Sequence, residues 1–182
     1  MELKNSLRED LDEAAAYHGH LCAGQFIGVR MARYACSLLG LSEPRLCRDL
    51  FTFVETDRCL ADAVSVVTGC KLGKRRLRHI DYGKSAASFL NAATGEALRI
   101  SSKGWMNVPK DADLYAVFEK LSDEALFKVE KVRLSIPQAD LPGPPREKTV
   151  CQTCGEYVTD GRHILKEGRT LCRSCAHGAY WE

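Results

Sequence analysis

The sequence predicts an α+β protein: a mixed helix-and-sheet core domain over residues 1–140, a proline-rich linker over 141–149, and a very small cysteine-stapled unit over 150–182. Three observations carry that expectation. Apolar residues recur at helical spacing in two early segments, and short β-branched or aromatic runs bounded by turn residues follow them. Then LPGPPREKT concentrates three prolines and a glycine where neither helix nor strand can continue.

The 182 residues suffice for one self-supporting core with a small appendage. With 45% hydrophobic residues, 27% charged residues and a net charge of +2, nothing demands a nucleic acid or a membrane as partner. MELKNSLREDLDEAAAYHGH has no basic leader followed by an apolar run, and no long apolar stretch occurs elsewhere, so a cytoplasmic location is expected. Nine cysteines, an odd number, then read as metal ligands, reactive thiols or small buried groups and not as a disulfide framework.

Asn5 or Ser6 caps a first helix running to about Tyr17, with Leu7, Leu11, Ala14 and Ala15 on one face and four acidic residues near its positive end. Residues 18–23 interrupt it. From Gly24, the residues Ile27, Met31, Tyr34, Ala35 and Leu38 mark a second helix that stops at Gly40. Cys36 inside it reads as a packed small residue, and Cys47 is assigned to the core by default. FTFVE at 51–55 reads as a strand, and TDRC joins it to a short helix, ADAVSVVTG at 61–69. SFLNAATGEALRIS reads as a hairpin turning near Thr94 and Gly95. DADLYAVFEKLSDEALFKVEKV, from Asp111, reads as a helix with Leu114, Val117, Phe118 and Leu121 facing the core.

After the prolines, Cys151 and Cys154 form one CxxC, and Cys172 and Cys175 form another seventeen residues later. Each pair places two thiolates on one side of a tight turn, and together they complete a tetrahedron around zinc at about 2.3 Å per sulfur. About 34 residues cannot bury enough apolar surface to fold unstapled. A structural zinc ion is therefore expected, its shell closed by four cysteines, with His163 and His177 surplus. Arg162, Lys166, Arg169 and Arg173 are cancelled by Glu156, Asp160, Glu167 and Glu182, which leaves little electrostatic footprint for phosphate. A protein partner suits the ribbon better than nucleic acid. The basic run KLGKRRLRH at 71–79 is the counterweight, read here as a solvated loop or strand edge.

HGHLCAG at 18–24 admits three readings. In an extended segment His18, His20 and Cys22 would point to one side, as chelation requires. If Cys22 instead opens the second helix, the dipole would lower its pKa. In the third reading the histidines only cap and pack. Cys59 repeats the pattern before its own helix, flanked by Glu55, Asp57 and Asp62, whereas Cys70 lies beyond the far end of that helix, on the order of 16 Å away. The expectation is a second transition-metal site made by His18, His20, Cys22 and Cys59, where two helix N-termini favour both thiolates.

HGHLCAG, VETDRCLADAVSVVTGCKLGKRRL and DYGKSAASFLNAATGEALRIS, followed by paired CxxC motifs, resemble the FmdE family of formylmethanofuran dehydrogenase components over roughly residues 15–102. The resemblance implies an α+β core, usually dimeric, with a metal or active site around the histidines and cysteines. It also implies that the molybdenum or tungsten pterin chemistry of the parent enzyme resides in other polypeptides of that complex. The family's HGHxCPG falls on His18, Gly19, His20, Cys22 and Gly24, with Ala23 in place of the proline. A second element falls on Glu55, Asp57, Cys59, Asp62, Thr68, Gly69 and Cys70, with Thr56 and Lys71 departing from the pattern. A third falls on Asp81, Tyr82, Gly83 and Lys84.

The function expected first is a metal-binding accessory or regulatory protein, homodimeric, with the ribbon contacting a protein partner. The alternative is a metal-dependent enzyme acting on a small molecule, with Cys22 and Cys59 at an open metal site and Lys84, Tyr82 or a carboxylate assisting. A zinc-ribbon transcription regulator ranks third. GxGxxG and GxxxxGK[ST] fingerprints are absent.

Overall fold

The computed structural model describes residues 2–104, 108–109 and 112–182, and divides into two compact units, Met1–Leu134 and Ser135–Glu182. In the first unit, helix α1 spans Leu7–His18 behind a reciprocal capping box: Glu9 N–H donates to Ser6 Oγ at 3.2 Å, and Ser6 N–H to Glu9 Oε2 at 2.7 Å. Asp10 belongs to that acidic first turn yet is only 2% exposed. Arg33 ion-pairs with it, Arg45 reaches it at 2.8 Å and Asn5 Nδ2 donates to it at 3.1 Å, so its charge is compensated where it is buried.

Helix α2 spans Ala23–Leu38 and α3 spans Cys59–Thr68, the latter ended by Gly69 in the left-handed conformation at φ 68°. Strands β1 (Leu50–Val54), β2 (Leu77–His79), β3 (Ala86–Asn91), β4 (Glu96–Ser102) and β5 (Phe127–Lys131) form one sheet in the order β2-β1-β3-β4-β5. Only β1 and β2 run parallel, joined through α3. Leu50, Val54, Phe89 and Ile100 from the sheet share one apolar cluster with Phe26, Ile27, Met31, Ala63 and Val64 from the helices. Cys36 is fully buried there and Cys47 packs against it half-buried. The hairpin turns as expected around Gly95, at φ 76°.

The expected helix over 111–132 is corrected. Its start at Asp111 lies outside the described residues, and the rest divides into α4 (Leu114–Phe118), α5 (Asp123–Leu126) and strand β5. Ser122 ends the helical run by accepting the Ala125 N–H with its own hydroxyl at 3.2 Å. FKVEK then alternates, and the open edge of β4 supplies backbone partners, with Val129 opposite Ile100. Of the four expected core residues Phe118 is fully buried, while Leu114, Val117 and Leu121 pack against the cluster from its margin. Arg30 ties this segment to α2, bonding Asp123 Oδ1 at 2.6 Å and the carbonyls of Phe118 and Leu121. The basic run forms a short 3-10 turn at Leu72–Lys74 and then the edge strand β2.

In the second unit, β6 (Lys148–Val150) pairs with β7 (Tyr157–Thr159), and β8 (Ile164–Lys166) pairs with β9 (Arg169–Leu171), before α6 (Arg173–His177). Strand β6 thus starts inside the stretch expected to be linker. Glu167 and Gly168 both have positive φ, 52° and 73°, as a two-residue hairpin between β8 and β9 requires. Cys151, Leu171 and Ala176 are the buried centre of this unit. No helix among the described residues is long and apolar enough to cross a membrane.

The contact that positions everything below is between α2 and α3. A Cβ on Gly28 would lie 2.6 Å from Ala63 Cβ and 3.0 Å from the Leu60 Cα and carbonyl oxygen, far inside van der Waals contact. Gly28→Ala should therefore cost about 1–3 kcal/mol in urea unfolding. Adding Ala63→Gly, which removes the methyl it strikes, should restore part of that loss; equal stability of parent and Gly28→Ala would refute the close approach.

Candidate metal centres

Helix α1 ends at His18 because Gly19 turns left-handed, φ 96°, and its N–H caps back onto the Ala15 carbonyl at 2.8 Å. Three residues later Cys22 is the N-cap of α2, its sulfur accepting the Gln25 N–H at 3.4 Å. Cys59 is the first residue of α3. Ligand atoms of His18, Cys22 and Cys59 lie within 4.8 Å of one another, all three residues half-buried. The extended-strand reading of HGHLCAG is thus corrected: His18 closes a helix, and it meets Cys22 because two helices abut across a glycine turn.

Two further side chains organise the cluster. Asp62, one turn beyond Cys59, bonds His18 Nδ1 at 2.8 Å, fixing the ring and leaving Nε2 as the nitrogen available to an ion. Gln25 is fully buried; its Nε2 donates to the Cys59 carbonyl at 2.8 Å, while its Oε1 has no hydrogen-bond partner among the described residues. That amide stitches the start of α3 to α2. Soft sulfur with imidazole at these separations fits a transition-metal ion, since zinc-bound sulfurs lie about 3.8 Å apart in a tetrahedron. Three protein donors leave one position open.

Burial first, and then the hydrogen bond and charge of the adjacent Cys22 thiol, push the Cys59 pKa up. The expectation that the helix start would favour the thiolate of Cys59 is therefore corrected: its α3 position does not outweigh desolvation and a neighbouring sulfur. A cation between the sulfurs reverses that balance.

The remaining candidates are placed elsewhere. His20 is exposed, its ring tilted against His18 with centroids 4.9 Å apart, and stands outside the three-residue group. Lys84 is exposed, its ammonium 5.5 Å from the Tyr82 ring centroid. Glu55 is buried in a two-point pair with Arg99, at 2.6 and 2.8 Å. Cys70 is fully buried and donates to the Leu50 carbonyl at 3.2 Å, and desolvation raises its pKa. Burial raises the Cys36 thiol likewise.

In the second unit Cys151, Cys154, Cys172 and Cys175 also bring their sulfurs within 4.8 Å of one another, with Cys154 and Cys172 at 3.9 Å. Each CxxC is closed by a backbone amide: Gly155 N–H bonds the Cys151 carbonyl at 2.9 Å, and Cys175 N–H bonds Cys172 Sγ at 3.4 Å. The backbone N–H groups of Cys154, Cys172 and Thr153 hold the Cys151 thiol down to about 6, while the hydrogen bond from Cys172 pushes Cys175 up to about 12. Four crowded sulfurs split in this way without an ion. Neither His163 nor His177 joins the group.

A mixed α+β core bearing a soft-ligand cluster, followed by a four-cysteine ribbon, defines a class of two-part metal-binding proteins. The chain matches the family described as "FmdE, Molybdenum formylmethanofuran dehydrogenase operon" over residues 17–139, and the prokaryotic dksA/traR C4-type zinc finger over residues 144–180. It belongs to the FmdE family. The crystal structure of an FmdE-like protein of tungsten formylmethanofuran dehydrogenase, from Syntrophus aciditrophicus, superposes with a TM-score of 0.62 at 25% identity, covering 98% of this chain and 96% of that one. A probable S-adenosyl-L-methionine-binding protein of Archaeoglobus fulgidus is 28% identical over 207 residues, taking in 98% of this chain. The chain spans only 55% of the length of that relative.

Cys172→Ser should abolish zinc retention by the ribbon and unfold the second unit, while helical circular dichroism from the first unit persists. Zinc held undiminished by a Cys151→Ser/Cys172→Ser variant would overturn the four-cysteine assignment.

Proposed function

We propose that this chain is a metal-binding accessory or regulatory protein of FmdE type, in which His18, Cys22 and Cys59 hold one transition-metal ion with a position left open for a ligand, and the ribbon serves contact with a protein partner. The convergence of those three donor groups, with Asp62 orienting the histidine at 2.8 Å, carries the reading. In this role the open position senses or holds a ligand and the protein reports its state.

A second reading is a metal-dependent enzyme. It is favoured by a cleft of about 460 Å³ that Asp62 lines together with Thr56, Asp57 and Ser65, which gives a small molecule space beside the cluster. The ion would act as a Lewis acid or lower the pKa of water in the open position. Lys84 and Tyr82 would then assist from the loop before β3. S-adenosyl-L-methionine, the ligand of the Archaeoglobus fulgidus relative, is a candidate occupant of the same cleft.

Elemental analysis of the full-length protein decides the shared premise. Two ions per chain are expected in the parent and one in Cys22→Ser/Cys59→Ser, with the ribbon zinc retained; two ions in that variant would sink the core site. Asp62→Ala should weaken core metal binding by about 10–100-fold without touching the ribbon. We further propose that the protein is a homodimer through its core domain, as the family resemblance implies. Light scattering at micromolar concentration checks this, and a monomer with metal bound contradicts it.

A further inference from the structure

The basic run that the metal sites leave unused lines a second cleft of about 460 Å³ in the first unit, between the end of α1, the end of α3 and the loop after it. Its charged lining is Glu13, Arg45, Lys71, Lys74 and Arg76. Arg45 is neutralised, bonding Glu13 at 2.6 Å and Asp10 at 2.8 Å. The other three cations have no such partner among the described residues. Lys71 and Lys74 are exposed and make no ion pair there.

Arg76 is the telling residue. It is only 9% exposed, and among the described residues its guanidinium bonds carbonyls, those of Cys47 at 2.6 Å and Gly69 at 3.2 Å. Carbonyl oxygens satisfy its N–H groups but leave its charge whole. A buried cation without a counter-ion is expensive, and such charges are ordinarily paired. The loop is also bent to this arrangement, since Arg75 between Lys74 and Arg76 adopts φ 58°, which costs a non-glycine residue about 1–2 kcal/mol.

This cleft shares Tyr17, Ser65 and Lys71 with the one that Asp62 lines, so the two form a continuous groove. One end is cationic. The middle offers the exposed side chains of Tyr17 and Leu72, and the far end carries Asp57 and Asp62 beside His18.

We propose that Lys71, Lys74 and Arg76 form a binding site for the anionic group, phosphate or carboxylate, of a small organic molecule whose remainder lies along the groove over Tyr17 and Leu72. Glu13, Asp57 and Asp62 along the groove oppose a continuous phosphate backbone, which favours a small ligand over nucleic acid. The inference goes beyond the metal reading and does not rest on it.

The test is calorimetric titration of the full-length protein at low ionic strength with AMP, pyrophosphate and succinate as probes, in the parent and in Lys71→Gln/Lys74→Gln. Both lysines are exposed, so the variant should retain its fold and metal content, as circular dichroism and elemental analysis would report. At least one probe should bind the parent and lose about tenfold or more in affinity in the variant; whether AMP or succinate does so identifies the group. Repeating the titration in Cys22→Ser separates this result from the fate of the core metal. No binding of any probe, equal affinity in parent and variant, or lysine-dependent binding of a DNA duplex alone would each overturn the proposal.

Discussion

The approach of α2 to α3 at Gly28 is the constraint on which the core cluster depends. Cys22 caps α2 and Cys59 starts α3, so the separation of their sulfurs is set by how closely the two helices meet one turn or so further on. With glycine facing Ala63 and Leu60 the axes come together until no methyl group fits between them. Gln25 then locks the same contact by hydrogen bond, giving its amide N–H to the Cys59 carbonyl at a place water does not reach. Packing brings the sulfurs near one another; the buried amide fixes how the start of α3 lies. A polar side chain in that position has a cost, visible in the unpartnered Gln25 Oε1, and well-packed apolar residues would avoid it.

Charge does comparable work at the other end of the helices. Asp10 sits almost fully buried between α1, α2 and the segment before β1, with arginines on two sides. Such a network adds little net energy compared with an apolar substitute, but breaking it from one side leaves uncompensated charge and costs about 3–5 kcal/mol. Its effect is to allow one arrangement of α1 against α2. His18 lies at the end of α1, so the same network that anchors the first turn of that helix also sets where its last residue arrives beside Cys22.

Much of this was legible in the sequence wherever the signal is local. Ser6 with Glu9, the glycine stop at 69, the hairpin around Gly95 and the paired CxxC turns each depend on a few neighbouring residues, and each is found. The failures share a cause. Residues 114–131 carry an apolar period that suits a helix, but a serine cap and the free edge of β4, about thirty residues back along the chain, divide them into two short helices and a strand. Asp62 was visible as a neighbour of Cys59, yet its bond to His18 spans 44 residues and has no local signature. Glu55 looked like a ligand from its flanking position; only the fold reveals Arg99 beside it. Gln25 did leave a trace, as a lone amide at the start of an otherwise apolar helix face.

The two cysteine clusters differ in what an ion would mean to each. In the ribbon the buried apolar residues are few, Cys151 itself among them, so metal binding and folding are one event and the ion is permanent for as long as the unit is folded. The core is the opposite case. Its large apolar cluster, from Leu11 to Phe127, holds α1, α2 and α3 together whether or not anything lies between His18, Cys22 and Cys59. An ion there is not needed for folding, so its binding energy remains free to be coupled to a ligand in the open position. Such coupling requires that the ion or ligand favour one of two arrangements. The means is at hand in His18, whose ring is shared between the cluster and Asp62, a residue that also lines the groove. A molecule bound along that groove would contact the same carboxylate that orients the metal-binding imidazole, and so act on the ion without touching it.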